Sequence, residues 1–392
     1  MVKFIPKFKD RSLLDTNCNE FIVDADVTIK NKNSFQEIAT QIPNYVINPV
    51  TSRFPYSSTK TSEKLPYFFS KNEFAKILSN SSERLKKLII PCVKFLLETN
   101  SKNVIPPYFY AEDITSQTFN VNLENIANVI KFKEKENVQF SIYPVINVSS
   151  NILTNDNSIR YVASMYMSDE YYENISGYYI LIDEFDANKA DPSTLIGYLK
   201  LIKALSKKEV HLLNINSFGY IGLLAGATSF SSGLASGESS SVNNWISDDN
   251  QNAPRQRPPK FIYVPEIFSY IDEIELQKAN YTCNCSHCNG TLPSTTISKK
   301  KHFLACRQRD IKNNFSGEFD SDLLAWENVF SEALSYANNL LSLKKTTRSY
   351  STLVTPINKW NSILPVLKDL KSLEENEDLL AQILNEIDET ND

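Results

Sequence analysis

The chain has 392 residues, 42% hydrophobic and 22% charged, enough to bury one large core or two ordinary ones. A net charge of −5 excludes a broad electrostatic pull toward nucleic acid and leaves only local basic faces for such a role. The opening MVKFIPKFKDRSLLD lacks the apolar core of a secretion signal, and no run approaches the ~18 apolar residues of a membrane span, so a soluble cytoplasmic protein is expected.

From about residue 45, short β-rich runs alternate with amphipathic helical ones. Residues 45–50 read as a strand end, and 82–100 as a helix kinked at Pro91. Residues 103–113 are strand-like, with their prolines at a strand end or bulge; 121–132 are helical, 138–148 a strand and 158–174 a helix. The clearest unit follows. GYYILIDEFD (177–186) is an apolar run ending in acids. Residues 191–208 then carry a helix start and place Leu195, Leu199, Ile202 and Leu205 on one face. Residues 209–219 return as a strand, 220–227 as a short helix and 228–233 as a strand.

Buried runs alternating with helices imply parallel strands covered on both faces. The expected fold is therefore α/β, a (β/α) TIM-type barrel over residues 1–279, with the open doubly wound sheet as the alternative. Residues 233–259 have no periodicity and read as a long loop, and 260–279 as strand then helix. A zinc-binding insertion is expected over 280–315, and C-terminal helices with an acidic tail over 316–392.

The insertion holds TCNCSHCNGTLPSTTISKKKHFLACRQRD (282–310), which contains four of the six cysteines. Such clustering fits metal binding in a reducing compartment better than disulfides. Cys285 and Cys288 have the spacing of a tight turn, period-two alternation returns Cys283 to the side of Cys285, and Gly290 lets the chain leave. His302, opening a helix, closes the tetrahedron. Cys306, four residues on along the same face, competes with it as fourth ligand, while His287 points elsewhere. Four protein ligands make a structural Zn2+ site: Cys283, Cys285, Cys288 and His302.

Strand ends at the C-terminal face of a barrel are where sites form. Tyr110, Glu112 and Asp113 fall there, as do Asp183, Glu184 and Asp186, then Asn214 and Asn216. Asp183, Asp186, Asp113 and Ser231 are the catalytic candidates; Tyr110, Asn214, Asn216, Ser232 and Gly233 are the ligand-binding ones. The bland alternative is that Asp183 to Asp186 begin a loop before a helix capped at Asp191. The run SSGLASGESSS (231–241) has the composition of an anion nest but is neither a P-loop nor a dinucleotide fingerprint. Arg255, Arg257 and Lys299 to Lys301 form local basic clusters, and His211 in its apolar strand reads as a satisfied core histidine.

A CxCxxC knuckle after the last strands of a (β/α) barrel, closed by a histidine on the next helix, resembles the zinc site of the tRNA-guanine transglycosylases (queuine tRNA-ribosyltransferases). The resemblance covers roughly residues 177–312, with HFLACRQRDI similar to the helix that carries the family's histidine. The interval from Cys288 to His302 is shorter than in the bacterial enzymes. The resemblance extends to distant relatives acting on deazaguanines in DNA, which implies a mobile-element or defence setting. Base exchange in that family uses an aspartate nucleophile on a late strand. Aligning GATSFSSGL (226–234) puts Ser231 at that position and Thr228 at another where an acid is usual, and the nearest acid downstream is Glu238. The resemblance implies the fold, and these residues deny the reaction.

The expected function is therefore binding of a nucleotide or nucleic acid without base exchange. One alternative is a glycosylase or transglycosylase using a relocated carboxylate such as Asp183 or Asp186. Another is a protein–protein interaction module presenting the acidic C-terminal helices.

Overall fold

The structure is a computed structural model that describes residues 2–234, 238 and 261–375. In chain order the first elements are β1 (Lys3–Lys7), β2 (Phe21–Asp24), α1 (Ala25–Lys30), α2 (Lys32–Gln41) and β3 (Tyr45–Asn48). Next come α3 (Phe74–Ser79), α4 (Ser81–Arg84), α5 (Ile90–Glu98), β4 (Asn103–Val104), α6 (Gln117–Lys135), β5 (Ser141–Ile142) and β6 (Val145–Ser149). They are followed by α7 (Asp156–Tyr166), β7 (Gly177–Asp183), α8 (Pro192–Leu205), β8 (Glu209–Leu212), α9 (Gly219–Leu224) and β9 (Ser229–Gly233). The chain then gives β10 (Phe261–Val264), β11 (Ser269–Asp272), α10 (Glu273–Lys278), α11 (Thr296–Asn314), α12 (Phe319–Ser342) and α13 (Tyr350–Glu375).

Seven parallel strands form one curled sheet in the order β3-β2-β1-β9-β8-β7-β6. β4 and β5 form a separate parallel pair. On one side the Lys102 N–H donates to the Tyr45 carbonyl of β3; on the other, the Tyr143 N–H donates to the Val104 carbonyl. Alternation sorts the side chains into two sets. Ile5, Ile22, Val46, Ile105, Tyr108, Tyr143, Val145, Tyr179, Leu181 and Leu213 pack together on the concave side, contributed by strands from all around the curl. The opposite faces join the helices in a second, larger core.

Three departures from the sequence reading have physical causes. β1 and β2 were not expected at all, yet β1 is an interior strand, paired with both β2 and β9. KFIPK carries lysines at both ends and a proline inside, and proline normally argues against a central strand. The expected strand over 138–148 is interrupted at Pro144, and 103–113 pairs only at β4 and through a bridge from Ala111 to Val148. The helix around Pro91 passes through a π turn at Leu85–Ile89, which accommodates the amide hydrogen that proline lacks.

The C-terminal helices share the main core. Trp326 of α12 stacks on Tyr220 of α9 at 4.3 Å, and the indole N–H of Trp360 in α13 donates to the Ala187 carbonyl at 3.1 Å. α11 lies against β1, where the β1–β2 connection supplies only a 3-10 turn, and Phe303 meets Phe4 edge-on at 6.0 Å. The stretch 233–259 and Arg255 and Arg257 lie outside the described residues, Gly233, Leu234 and Glu238 excepted. No described helix is long and apolar enough to cross a membrane.

Candidate metal centre and barrel mouth

The knuckle is built by local hydrogen bonding. The Cys288 N–H donates to the Cys285 carbonyl and the Gly290 N–H to the Cys283 carbonyl, closing a tight turn. Gly290 has φ +88, a conformation that side chains disfavour. α11 begins at Thr295, whose hydroxyl caps the Ser298 N–H, and it turns His302, Cys306 and Asp310 inward at four-residue intervals.

Cys283, Cys285, His302 and Cys306 are fully buried, and their ligand atoms all lie within 4.8 Å of one another. From His302 Nδ1, the sulfurs of Cys283 and Cys285 are at 3.5 Å, Cys306 at 3.6 Å and Cys288 at 3.2 Å. Cys288 thus touches the imidazole without joining the mutually close quartet. His302 Nε2 faces the Tyr263 carbonyl at 2.7 Å, which fixes the ring with Nδ1 toward the sulfurs. His287 turns away to Ser298 Oγ at 2.9 Å. Hydrogen bonds with Cys283 and Cys306 hold the Cys285 thiol far below the ordinary thiol range. Burial opposes charge on His302, yet Cys283 and Cys285 push it up to about 10. Nδ1 faces the sulfurs as a metal ligand would, and the group can hold an ion.

No family model and no curated protein matches the chain. Among solved structures, a type I 3-dehydroquinate dehydratase from Clostridium difficile aligns at TM-score 0.30 and 8% identity, over 64% of this chain and 94% of that one. A likeness of that size carries no argument.

The second site lies at the C-terminal ends of the strands. Lys7 ends β1 and Asp24 ends β2, with Lys7 Nζ 2.9 Å from Asp24 Oδ1. Arg53, from the turn after β3, reaches Asp24 Oδ2 at 2.8 Å. Asn48 Nδ2 donates to Asp24 Oδ1 at 3.1 Å, and Asn48 Oδ1 accepts from the Tyr108 hydroxyl at 2.8 Å. Burial opposes ionisation of Asp24, but the charges of Arg53 and Lys7 outweigh it and hold the carboxyl well below the usual range. Burial also lowers Lys7, despite Asp24 beside it. Lys7, Asn48, Arg53 and Tyr108, with Leu181, Leu213, Asn214 and Ser231, enclose about 10 Å³, room for about one water. Three non-glycine residues sit in the left-handed region at strand ends around this mouth: Val50 (φ 54), Glu184 (φ 55) and Asn214 (φ 53). For β-branched Val50 the strain costs ~1–3 kcal/mol.

The expected candidates divide. Ser231 and Asn214 line the mouth, and Gly233 pairs with Lys7 in register. The Ser231 hydroxyl donates to the Leu212 carbonyl at 3.3 Å. Asp183 is buried at the end of β7, near Tyr56 and Tyr110, whose hydroxyls burial raises and the Asp183 charge raises further. Ser232 does not join them, because alternation turns it to the helix-facing side, where it donates to the Gly233 carbonyl. Asp113 is exposed and accepts from the Thr115 N–H and hydroxyl at 2.7 Å, shaping the turn before α6. Asp186 pairs with Lys189 at 3.3 Å, and Asn216 accepts the Phe218 N–H. Asp191 caps α8 as expected. His211 is satisfied inside the curl by Ser229 at 2.7 Å. The basic cluster before His302 is partly neutralised, since Lys299 pairs with Glu273 and Lys300 with Asp10.

Sequence reasoning missed Lys7, Asp24, Asn48, Arg53 and Tyr108. The available signal was a charged residue closing each of two short apolar runs, KFIPK and FIVD. It also missed Arg307, fully buried among the rings of Tyr220, Phe230, Tyr263 and Phe303 at 4.9–5.7 Å. Arg307 reaches Glu238 at 3.0 Å, so the nearest acid after β9 is held in an ion pair.

Proposed function

We propose that the chain is a zinc-stabilised (β/α)-barrel protein of the transglycosylase type that has lost base exchange and binds a nucleotide or nucleic-acid segment at its mouth. β4, hydrogen-bonded on both sides, is read as the eighth strand of a closed barrel, with the inner cluster as its filled interior. Zinc is favoured over other ions because four buried sulfur and imidazole donors gathered in one compact group suit it.

The observation that carries the binding reading is the composition of the rim. Arg53 and Lys7 offer positive charge, Asn214 offers an amide, and Tyr56 and Tyr110 offer aromatic faces beside Asp183. Phosphate and a planar base are the groups such a rim matches. The enclosed space is too small for a base, so the ligand sits above Arg53, whose side chain is 29% exposed. Base exchange lacks its acid: Ser231 occupies the family's nucleophile position, and Glu238 is committed to Arg307.

The test is calorimetry with nucleoside monophosphates and anisotropy with labelled single-stranded RNA and DNA, on the wild type and Arg53→Gln. At least one probe is expected to bind, about tenfold more weakly to the variant, as loss of a charge-assisted contact implies. No binding by any probe, or no effect of the substitution, rejects the reading. A guanine-exchange assay on tRNA is expected to show no incorporation. The second reading, a relocated carboxylate, rests on buried Asp183; incorporation that disappears in Asp183→Asn with the fold retained would establish it.

A further inference from the structure

Lys7 is an amine set into the mouth rather than onto the surface. Ile5 packs in the inner cluster, so alternation along β1 brings Lys7 to the same side, where its side chain is 11% exposed. The position in register with it on β9 is Gly233, which has no side chain to fill the space alongside. Nζ stands 2.9 Å from Asp24 Oδ1, within reach for proton transfer, and Arg53 holds the other oxygen of that carboxylate at 2.8 Å. Lys7 also lines the water-sized space together with Ser231 and Asn214. The Ser231 hydroxyl gives its proton to the Leu212 carbonyl, so it meets a ligand as an acceptor.

A simple ion pair does not use everything gathered here. Asp26, two residues beyond Asp24, is a second carboxyl acting on the same cations, and its Oδ1 is buried with no hydrogen-bond partner among the described residues. Burial and the Asp24 charge raise Asp26, whereas Asp24 is held ionised, so one carboxyl suits accepting a proton and the other donating one. Burial lowers Lys7 despite Asp24, which leaves a larger share of this amine uncharged than of a surface lysine.

We propose that Lys7 condenses with the open-chain aldehyde of a phosphorylated sugar to form an imine at the mouth, with Arg53 holding the phosphate. This rests on the mouth-binding reading above and names the ligand as a sugar phosphate without a base, in keeping with a space too small for one. The Lys7 ammonium passes one proton to Asp24, and the Nζ lone pair attacks the aldehyde carbon. The carbonyl π pair moves to oxygen, which takes a proton from the nitrogen to give the carbinolamine. Its C–O bond then breaks, the hydroxyl leaves as water with the proton returned by the carboxyl pair, and the nitrogen lone pair closes the C=N bond. Ammonium and aldehyde thus give protonated imine and water, with no other reactant.

The full-length chain is incubated with sodium cyanoborohydride and either ribose 5-phosphate or a single-stranded DNA oligonucleotide carrying one abasic deoxyribose. Adducts are read by intact mass and peptide mapping. One adduct, heavier by the probe less one oxygen, is expected on Lys7 with at least one probe, and it is expected to be lost in Lys7→Arg, which keeps the positive charge. Capture of ribose 5-phosphate alone identifies a free sugar phosphate as the source of the aldehyde; capture of the oligonucleotide alone identifies a base-free position in a strand. Adducts on other lysines in place of Lys7, or an adduct undiminished in Lys7→Arg, overturn the proposal. Should Lys7→Arg fail to fold, mapping of the wild type decides, with the urea-unfolded chain as the reference in which Lys7 has no advantage over other lysines. Probes that bind without forming any adduct overturn the imine and leave the binding reading standing, whereas a chain that binds neither nucleotides nor these probes rejects both.

Discussion

Asp24 is a buried carboxylate gripped by two cations, and its removal is more damaging than its net contribution suggests. Asp24→Asn keeps the shape but removes the carboxylate that pairs directly with both Lys7 and Arg53 at the mouth. Breaking such a pair costs about 3–5 kcal/mol, which urea unfolding at pH 7 should register as a lower midpoint with an unchanged slope. The pH dependence has a defined sign. The folded carboxyl lies below its ordinary value, so the unfolded chain binds the proton more readily. The stabilisation is therefore present above about pH 4 and lost as pH falls through the folded value. Wild type should lose stability on acidification below pH 4 by more than Asp24→Asn does; equal losses would show that other carboxylates control acid unfolding. At this scale the cysteine–histidine group was legible, because cysteine and histidine at ligand spacing are rare by chance, although the mutually close quartet has Cys306 where the spacing suggested Cys288. The mouth was not. Lys7, Asp24, Arg53 and Tyr108 are spread over about a hundred positions, and none is unusual until the strand order brings them together.

The elements that could be read were those with the strongest period. The run β7–α8–β8–α9–β9 was visible because β7 is a buried, largely apolar stretch and α8 has both a cap and an apolar face. β1 and β2 are short and interrupted by proline or bounded by charge, so their signal lies in the pairing partner rather than the segment. α8 also carries a constraint invisible in sequence. A Cβ on Gly197 would stand 1.8 Å from the Leu153 carbonyl oxygen, backbone that cannot step aside cheaply. Alanine there improves helix propensity by ~1 kcal/mol in isolation, yet overpacking at a rigid contact costs ~1–3 kcal/mol or more. Gly197→Ala should therefore lower the melting temperature, and an increase would mean that α8 and the turn before α7 separate easily. Trp360→Ala makes the complementary test on α13. It removes a fully buried ring and its hydrogen bond to Ala187, and a loss of about 3–5 kcal/mol is expected in chemical denaturation. A loss under 1 kcal/mol would mark α13 as an appendage rather than part of the core.

For the whole molecule, the position of the metal group decides how far its influence spreads. The sequence suggests an insertion, a self-contained knuckle hung on the outside of a barrel. Instead α11 carries His302 and Cys306 on one face while its neighbour Phe303 packs on Phe4 of β1, an interior strand of the sheet. His302 is held by the Tyr263 carbonyl of β10, and Arg307, one residue beyond Cys306, is enclosed by rings from α9, β9, β10 and α11. Loss of an ion held there would leave thiols and an imidazole in a buried group that cannot hydrate them, and the helix bearing His302 and Cys306 is the one that covers β1. Chelation should therefore destabilise the chain as one cooperative unit. The check is calorimetry with and without a strong chelator, alongside near-ultraviolet circular dichroism, where Trp326 and Trp360 report on the C-terminal helices. A single transition moving to lower temperature, with both signals lost together, is expected. A chelated chain that keeps its melting temperature and its tryptophan signal would show that the knuckle unfolds alone and that the sheet is closed without it.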